Sequence, residues 1–401
     1  MSRSLLDTDF YILTMMQAVF HRYTNVDTKF EFKWRNWDKM NFHITLDDFI
    51  GRLKKRLDAL CELRFTKDEI EYLKAIPFFK SDFLEYLRLF QLNRGYIHPY
   101  KRKEGEHEVL AIDIHGPLLN VIMFEVPVLA IISQLYTSSC GEMAFNWTKM
   151  GRTLLEEKLN YLDNNLHRDM PFIFADFGTR RRAHYDWHKE LIETILKHEP
   201  CRMVGTSNVH FAQMFGIKPI GTMAHLWFQV HQQIGPRLAD SQAAALQAWA
   251  DEYRGELGIA LSDTLGFDMF LKDFDRYFAL LFDGCRHDSG DPIRWCEKLI
   301  DHYKSLRIDP KTKTAIFSDG LTFQTAVDLF LRFQNHIGIS FGIGTYLTND
   351  CGFKAPQIVI KNTKTNGKPT AKLSDSPGKG MCMDDGFEAY LRKVVAEKVG
   401  G

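Results

Sequence analysis

A histidine near the middle of the chain has the surroundings of a nucleophile. His225 ends the segment Gly221–His225, which follows a short apolar stretch and precedes a predicted helix. A neutral imidazole is nucleophilic near pH 7, so this side chain could accept a phosphoryl group. A histidine that only packs at a strand–helix turn would fit the same pattern, and the segment taken alone favours this second interpretation.

Two aspartates downstream of the histidine could share a divalent cation. Asp263 follows the apolar run Ile259–Leu261, and Asp288 lies a few residues after Phe282. Protein carboxylates together with substrate phosphate oxygens are the usual ligands of Mg²⁺. The pattern therefore predicts a magnesium pair, although Asp263 alone could equally cap the helix that follows it.

Groups that can bind anions also occur just after apolar runs that are predicted to be strands. Arg286 offers a rigid fork of N–H donors for a carboxylate or a phosphate, and Arg180 is the arginine of the run Arg180–Arg182 that lies nearest a glycine. Glycine-containing strand ends let backbone N–H groups approach an anion closely. The residues predicted to bind phosphate in this way are Gly320, Gly342, Gly344 and Thr345.

The elements that must position these residues recur from about residue 170. Short apolar runs end in polar, glycine-containing motifs and alternate with stretches that have helical periodicity. These helical stretches are 183–198, 237–253, 293–306 and 321–333, and Asp291-Pro292 is a strong helix start. About seven repeats of strand, motif and helix predict a parallel α/β barrel with its chemistry at the carboxyl ends of the strands. A doubly wound open sheet is the alternative, but no G-x-G-x-x-G motif opens the first repeat.

The first 120 residues do not show this repeating pattern of strand, motif and helix. Amphipathic helical stretches such as Leu46–Leu63 are mixed with β-like segments such as Lys29–Trp34 and Val109–Ile114. We therefore expect a mixed α/β N-terminal domain over residues 1–120. The barrel domain, with a C-terminal extension, is expected over residues 121–401.

Composition argues against a charged macromolecular partner. Lys+Arg and Asp+Glu both number 51, so no global field attracts nucleic acid or an anionic membrane. The seven cysteines form no metal-binding spacing and indicate reduced thiols. The N-terminus lacks a signal-peptide pattern, and the apolar stretch 121–136 contains a charge and a proline, so it is interpreted as a buried core element. The predicted location is the cytoplasm.

Seven motifs, in order over nearly the whole chain, resemble those of the nicotinate phosphoribosyltransferase family in its bacterial form. They are Asp7–Tyr11, Asp176–Arg182, Gly205–Asn208, Gly221–His225, Arg286–Pro292, Ser340–Thr345 and Lys372–Lys379. Each motif alone is of modest specificity, whereas the ordered set is very specific. The resemblance implies an irregular, incomplete α/β barrel with a separate N-terminal domain.

The resemblance also implies the reaction. Nicotinate and phosphoribosyl pyrophosphate would give nicotinate mononucleotide and pyrophosphate, a salvage step toward NAD that the family couples to ATP hydrolysis. ATP would transiently phosphorylate His225, and Mg²⁺ on Asp263 and Asp288 would stabilise the leaving pyrophosphate. Thr222 and Arg286 would contact nicotinate, while the glycine-containing strand ends would hold the ribose 5-phosphate.

Two further positions bear on substrate binding. The family is usually a homodimer with shared active sites, which implies that Tyr11 comes from the neighbouring subunit. Ser207 stands where relatives that use nicotinamide carry aspartate, and its hydroxyl could donate to the carboxylate of nicotinate while Arg180 or Arg286 supplies charge. Relatives often carry arginine at the position of Tyr346, so Tyr346 is left outside the predicted site.

Other functions stay open at this point. Within the family, the chain could prefer nicotinamide or quinolinate. Outside it, a phosphate-binding barrel aldolase or isomerase would share the fold and the glycine-containing strand ends. An aldolase needs a lysine at a strand end for a Schiff base, and no strand-end motif offers one. A non-enzymatic interaction protein would not need so many charged groups at strand ends.

Overall fold

The computed structural model describes residues 4–40, 42–139, 143–376 and 378–400, and their side chains except at 143–146. The chain divides into two compact units. Unit 1 takes in the residues up to Asn25 together with Phe30–Ile220 and Ile343–Ile360. Unit 2 takes in Val26–Lys29, Gly221–Gly342 and the residues from Lys361 onward. The predicted division at residue 120 stays a prediction.

Helices and strands account for most of the described chain. The helices are α1 (Phe10–Arg22), α2 (Leu46–Glu62), α3 (Lys67–Lys74), α4 (Ser81–Leu89), α5 (Leu118–Val121), α6 (Glu125–Thr137), α7 (Met143–Asn165), α8 (Tyr185–Lys197), α9 (Val209–Phe215), α10 (His225–Ile234), α11 (Ser241–Tyr253), α12 (Phe267–Asp273), α13 (Arg276–Leu281), α14 (Pro292–Ser305), α15 (Phe323–Phe333), α16 (Thr345–Thr348) and α17 (Asp385–Gly400). The strands are β1 (Asp27–Trp34), β2 (Ile97–Glu104), β3 (His107–Pro117), β4 (Phe174–Asp176), β5 (Met203–Thr206), β6 (Lys218–Pro219), β7 (Ile259–Leu261), β8 (Gly284–His287), β9 (Thr314–Phe317), β10 (Gly338–Ile343), β11 (Ile358–Thr365) and β12 (Lys368–Pro369).

The predicted helices are confirmed, with α2, α8, α11, α14 and α15 close to the expected bounds. In α14, Pro292 occupies the first turn and the side chain of Asp291 accepts a hydrogen bond from the backbone N–H of Arg294 at 2.8 Å. This cap satisfies one of the N–H groups that a helix start leaves without an intrahelical partner. The start signal in the sequence therefore marks the true first turn.

The N-terminal part of unit 1 is held together by amphipathic helices and a hairpin. In α2, Phe49, Leu53 and Leu57 are buried on one face, and burial of each such side chain contributes about 2 kcal/mol. Strands β2 and β3 pair antiparallel from Ile97 opposite Ile114 to Glu104 opposite His107. The expected mixture of helix and strand in this region is confirmed.

A long apolar stretch lies inside unit 1. Leu118–Thr137 has the length and mean hydropathy of a membrane span, and 94% of its most apolar window is buried in the structure. All residues of α6 are buried, including Glu125. Core helices of water-soluble proteins pass the same test of length and composition. The prediction of a buried core element is confirmed.

Parallel strands of the predicted type occur in both units. In unit 1 the strand order is β6–β5–β4, with Asp176 opposite Thr206. In unit 2 the order is β10–β9–β8–β7. Gly284 at the start of β8 must be glycine, because a Cβ there would lie 1.9 Å from the carbonyl oxygen of Thr314. Parallel pairing brings the carboxyl ends of neighbouring strands together, which is how residues far apart in sequence come to share a site.

Candidate active site

A buried histidine lies between two carboxylates at the strand ends of unit 2. His225 is the first residue of α10, Asp263 comes two residues after β7, and Asp288 directly follows β8. The imidazole Nε2 lies 2.8 Å from Asp263 Oδ1 and 3.5 Å from Asp288 Oδ2. The side chains of His225 and Asp263 are 7% and 2% exposed, whereas that of Asp288 is 28% exposed. The structure thus brings together the three residues that the sequence suggested for the chemistry.

The hydrogen bond to Asp263 fixes which nitrogen of His225 can react. A carboxylate only accepts, so Nε2 carries the proton and donates to Asp263 Oδ1. In the neutral ring, Nδ1 then bears the lone pair. Burial lowers the pKa of His225 to about 4, and the nearby Lys372 charge adds to this effect although Asp263 opposes it. The ring is therefore neutral at physiological pH and nucleophilic at Nδ1.

Asp263 is held on both of its oxygens. Oδ2 accepts hydrogen bonds from Ser289 Oγ at 2.6 Å and from Lys372 Nζ at 2.8 Å, in addition to the bond from His225 to Oδ1. Burial alone would raise the pKa of Asp263, but the interaction with His225, including its hydrogen bond, and the charge of Lys372 hold it well below its ordinary value. This carboxylate is ionised and tightly oriented.

Asp288 is the more open carboxylate and lies near an arginine. Its Oδ1 accepts a hydrogen bond from Ser318 Oγ at 3.0 Å. Burial would raise the pKa of Asp288, but the guanidinium of Arg286 holds it below its ordinary value. The Nε of Arg286 is buried and has no hydrogen-bond partner among the residues that the structure describes. Because a buried N–H without a partner costs about 1–3 kcal/mol, this donor is suited to an anionic ligand.

The same cluster fits a hard cation. One ligand atom from each of His225, Asp263 and Asp288 lies within 4.8 Å of the others. A carboxylate has about four lone-pair positions, so the three hydrogen bonds on Asp263 leave one acceptor position. Asp288 accepts one hydrogen bond, from Ser318, so more of its acceptor positions remain for a cation. Carboxylate oxygens completed by substrate oxygens are the ligands that Mg²⁺ prefers.

The other predicted residues of unit 2 flank these strand ends. Thr222 Oγ1 donates to the backbone oxygen of Ile259 at 2.8 Å. Gly320 follows β9 with φ of +58°, and no atom lies within 4 Å of the position a Cβ would take, so the backbone there is open to a ligand. Next to it, Asp319 forms an ion pair with Lys379. Gly342 lies inside β10.

In unit 1, two predicted nicotinate ligands converge on Asp9. Ser207 directly follows β5 and its Oγ donates to Asp9 Oδ1 at 2.7 Å. Arg180 lies in a 3₁₀ turn after β4, 41% exposed, with Nε 3.9 Å from Asp9 Oδ2 and Nη1 3.7 Å from Glu125 Oε1. Burial raises the pKa of Asp9, although Arg180 and the hydroxyl of Ser207 oppose the shift.

The remaining predicted residues of unit 1 are Tyr11, Gly344 and Thr345. Tyr11 is the second residue of α1 and is 7% exposed within its own chain. The backbone N–H of the preceding Phe10 donates to the carbonyl oxygen of Ser207 at 2.7 Å. Gly344 precedes α16, which begins at Thr345, and a Cβ at Gly344 would lie 3.0 Å from the carbonyl oxygen of Phe177. The supply of Tyr11 by a neighbouring subunit stays a prediction.

Sequence reasoning did not assign roles to Lys372 and Ser289, although both lie in the seven motifs. Lys372 is 5% exposed despite its charge. A buried lysine is almost always paired with an acidic group. The mostly polar segment around Lys372, however, does not indicate which acidic residue is its partner. The partner, Asp263, is more than 100 residues earlier in the chain, and only the fold connects the two.

The fold and the cluster are typical of a class of protein: an α/β enzyme whose candidate site lies at the carboxyl ends of parallel strands. Comparison with known proteins narrows this class. The profile of the Nicotinate phosphoribosyltransferase (NAPRTase) family matches residues 172–398, and that of the NAPRTase N-terminal domain matches residues 6–133. The chain belongs to the nicotinate phosphoribosyltransferase family.

Individual relatives agree over nearly the full length. A nicotinate phosphoribosyltransferase of Chromobacterium violaceum is 49% identical over 397 residues, 98% of this chain and 96% of its own. The crystal structure of nicotinate phosphoribosyltransferase from Vibrio cholerae is 37% identical with a TM-score of 0.91, and covers 98% of this chain and 93% of its own. The structure from Porphyromonas gingivalis is 30% identical with a TM-score of 0.87 and covers 100% of both chains. The chain is thus an enzyme, and the predicted fold class, an irregular, incomplete parallel α/β barrel with a mixed N-terminal part, is confirmed.

Proposed function

We propose that this enzyme transfers the 5-phosphoribosyl group from phosphoribosyl pyrophosphate to nicotinate, coupled to hydrolysis of ATP. The products are nicotinate mononucleotide, pyrophosphate, ADP and phosphate, and the reaction salvages nicotinate for NAD. Membership of the nicotinate phosphoribosyltransferase family supports the transfer to nicotinate. The ATP coupling rests on one observation above others: the neutral, buried His225, whose Nε2 is bonded to Asp263 and whose Nδ1 is left as the nucleophile.

The transfer step needs electrostatics rather than a general base. The pyridine nitrogen attacks the ribose C1 with its lone pair, so no proton has to be removed. As the bond to pyrophosphate breaks, positive charge develops on the ribose and negative charge on the leaving group. In unit 2 the anionic oxygens would be received by the buried Nε of Arg286, which has no partner among the described residues, and by the backbone at Gly320. Preorganised donors of this kind usually supply the largest part of the rate enhancement.

Phosphorylation of His225 would proceed at Nδ1. This nitrogen attacks the γ-phosphorus of ATP, an Nδ1–P bond forms, the bond to ADP breaks, and water later releases phosphate. Asp263 accepts the Nε2 hydrogen bond throughout and stabilises the positive charge that grows on the ring, as the carboxylate of a catalytic triad does. A labile phosphohistidine can shift affinities for substrates and products, so that ATP drives an otherwise balanced exchange.

Magnesium would be held by Asp288 and Asp263. The open oxygens of Asp288 and the remaining acceptor position of Asp263 suit a cation that also takes substrate oxygens. When bound, the cation supplies positive charge that stabilises the leaving pyrophosphate. The ribose 5-phosphate would be bound by Gly320, Gly342, Gly344 and Thr345.

Preference for nicotinate over nicotinamide would rest mainly on the charge of Arg180. The hydroxyl proton of Ser207 is directed at Asp9, so Ser207 can donate to a carboxylate only by giving up that bond. Tyr11 would stack on the pyridine ring, and Thr222 and Arg286 would complete the nicotinate contacts. The enzyme would act in the cytoplasm as a homodimer with shared active sites.

A pyrophosphate-release assay with nicotinate, nicotinamide and quinolinate, each with and without ATP, tests the function. We expect turnover of nicotinate at least a hundredfold above that of nicotinamide, because mispairing a buried ionic contact costs a few kcal/mol. ATP should lower the concentration of phosphoribosyl pyrophosphate that is needed. Equal turnover of nicotinate and nicotinamide would overturn the substrate assignment, and the absence of any ATP effect would overturn the coupling.

A further inference from the structure

We propose that Lys372 is a positioning residue for His225, acting through Asp263. Together with Ser289 it fixes the carboxylate so that Asp263 holds the imidazole with Nδ1 directed away from it, ready for the phosphoryl group. The proposal rests on phosphorylation of His225 as proposed above. The new element is that a residue of the C-terminal segment holds the imidazole of His225 in the orientation that phosphorylation requires.

The two carboxylate oxygens of Asp263 accept hydrogen bonds from different partners. Oδ1 accepts from His225, at 2.8 Å, while Oδ2 accepts from both Ser289 and Lys372, at 2.6 and 2.8 Å. A carboxylate held only through Oδ1 could turn about its Cβ–Cγ bond and carry the imidazole with it. The two donors on Oδ2 prevent this rotation. Lys372 also balances one of the two negative charges, on Asp263 and Asp288, that face the histidine.

The backbone around Lys372 is fixed from several sides. Lys372 pairs with Met381 through two backbone hydrogen bonds of 2.9 and 2.8 Å, and the N–H of Leu373 donates to the carbonyl oxygen of Thr264 at 2.9 Å. The N–H of Asp375 donates to Ser289 Oγ at 3.1 Å, which directs the Ser289 proton toward Asp263. Such outer contacts are what hold a reactive group within a few tenths of an ångström of its working geometry.

The chain offers a matched control for a variant at Lys372. Lys398 also lies in unit 2 and also pairs with a buried carboxylate, that of Asp273, besides bonding the carbonyl oxygen of Ala239. Lys398 and Asp273 have no contact with the His225 cluster among the described residues. Lys398→Met therefore reproduces the loss of a lysine–aspartate pair and of an amine, without touching the histidine.

The experiment measures phosphohistidine formation from γ-³²P-labelled ATP in a single turnover, at saturating ATP and magnesium. We expect Lys372→Met to slow labelling by about a hundredfold, because misplacement of a reacting group by about 1 Å costs this much. Lys372→Arg should regain part of the rate, and Ser289→Ala should lose about tenfold. Lys398→Met should label at the wild-type rate. Transfer without ATP should change less than labelling in Lys372→Met.

A spectroscopic readout separates positioning from general damage. In wild-type protein without ATP or magnesium, the ¹⁵N spectrum of the His225 ring should show a proton on Nε2 and a bare Nδ1, with His225→Ala identifying the signals. Lys372→Met should give a mixed or exchanging tautomer, whereas Lys398→Met should keep the wild-type pattern.

The outcomes distinguish the proposal from its premise. Wild-type labelling and an unchanged tautomer in Lys372→Met would overturn the role of Lys372 and leave the phosphohistidine intact. Equal losses in Lys372→Met and Lys398→Met would also overturn it. An absence of label on His225 in the wild type would overturn the phosphohistidine itself. Should Lys372→Met fail to fold, Ser289→Ala decides the question: a wild-type rate and tautomer there would contradict the proposal.

Discussion

Two histidine–aspartate pairs at strand ends, one in each unit, have nearly the same geometry and different surroundings. His188 Nε2 lies 2.7 Å from Asp176 Oδ2 in unit 1, and His225 Nε2 lies 2.8 Å from Asp263 Oδ1 in unit 2. The first pair is fully buried, and Phe211 packs edge-on against its ring at a centroid distance of 4.8 Å. A histidine–aspartate hydrogen bond by itself therefore does not identify an active site.

The difference lies in the groups around each pair. Asp176 is completed by Thr206 Oγ1 at 2.6 Å and by the N–H of Gly178 at 2.9 Å, which ties neighbouring strand ends together. The pair in unit 2 faces a second, partly exposed carboxylate, Asp288, beside Arg286, whose buried Nε has no partner in the described part of the chain. Each pair has one buried polar atom nearby without a partner among the described residues, His188 Nδ1 in unit 1 and Arg286 Nε in unit 2. The two pairs differ in access: the unit 1 pair is fully buried, whereas the unit 2 pair faces a partly exposed carboxylate that is available to a ligand.

The largest effect is expected for the open carboxylate. Asp288→Ala should lower phosphoribosyl transfer by about 10³-fold with or without ATP, because it removes a carboxylate proposed to hold the magnesium that stabilises the leaving pyrophosphate. Steady-state pyrophosphate release measures this loss. Asp301→Ala, on the exposed face of α14, is the control and should be close to wild type. A loss that appears only in the presence of ATP would place Asp288 in the phosphorylation step instead.

The second largest effect is expected in the loss of protein stability when each of the two histidines is replaced by alanine. His188→Ala should lower the free energy of unfolding by about 3 kcal/mol, because it leaves the fully buried Asp176 short of a donor. His225→Ala should cost about 1 kcal/mol, since Asp263 keeps Ser289 and Lys372. Urea denaturation of both variants gives the two values. Equal costs would mean that the pairs do not differ in structural role.

A third prediction uses the ion pair of Asp7 with Arg182 in unit 1, whose two hydrogen bonds are both 2.6 Å. Burial would raise the pKa of Asp7, but Arg182 and Asn208 lower it from 3.8 to about 2. A depressed carboxyl pKa stabilises the fold above the ordinary value and loses this contribution as pH falls from about 4 to about 2. The contribution is about 2 kcal/mol.

Urea titrations at pH 5 and pH 2.5 check this acid dependence. The wild type should lose about 1.5 kcal/mol more between the two pH values than Asp7→Asn does, because pH 2.5 is still slightly above the folded pKa of Asp7. The variant will be less stable overall, since Arg182 keeps only a neutral partner, so only the difference between pH values is compared. The same acid loss in both proteins would contradict the assignment of the shift to Asp7.

The smallest effects concern nicotinate binding. Arg180→Gln should raise the KM for nicotinate by about tenfold or more, because it removes the charge that faces a carboxylate. Ser207→Ala should change this KM by only about two- to threefold, because the hydroxyl already donates to Asp9. Initial rates over a range of nicotinate concentrations give both values. A larger effect of Ser207→Ala than of Arg180→Gln would show that Ser207 leaves Asp9 when the substrate binds.

The sequence was informative where periodicity sets position. The strand–motif–helix rhythm placed Asp263 and Asp288 at neighbouring strand ends, and the parallel pairing of β7 with β8 brings them together at His225. The start of α14 was readable because Asp291 and Pro292 act locally. Local signals and strand order are therefore enough to predict which side chains meet at the strand ends.

Side-chain direction and long-range pairing were not readable. Ser207 was expected to face a substrate carboxylate, but its rotamer directs the proton to Asp9 from the N-terminal motif. The pairing of Lys372 with Asp263 depends on how the C-terminal extension returns to unit 2, and no repeating pattern fixes this return. The partners of buried charges depend on tertiary contacts, which composition and spacing do not encode.

The central claim is that His225, and not the buried His188, carries the phosphoryl group from ATP. The direct measurement is acid-labile, base-stable incorporation of ³²P from γ-labelled ATP into the wild type, His225→Ala and His188→Gln, normalised to folded protein. His188→Gln keeps a donor for Asp176 and serves as the matched control. We predict label in the wild type and in His188→Gln, and none in His225→Ala. Undiminished label in His225→Ala would contradict the account and make this histidine a structural one.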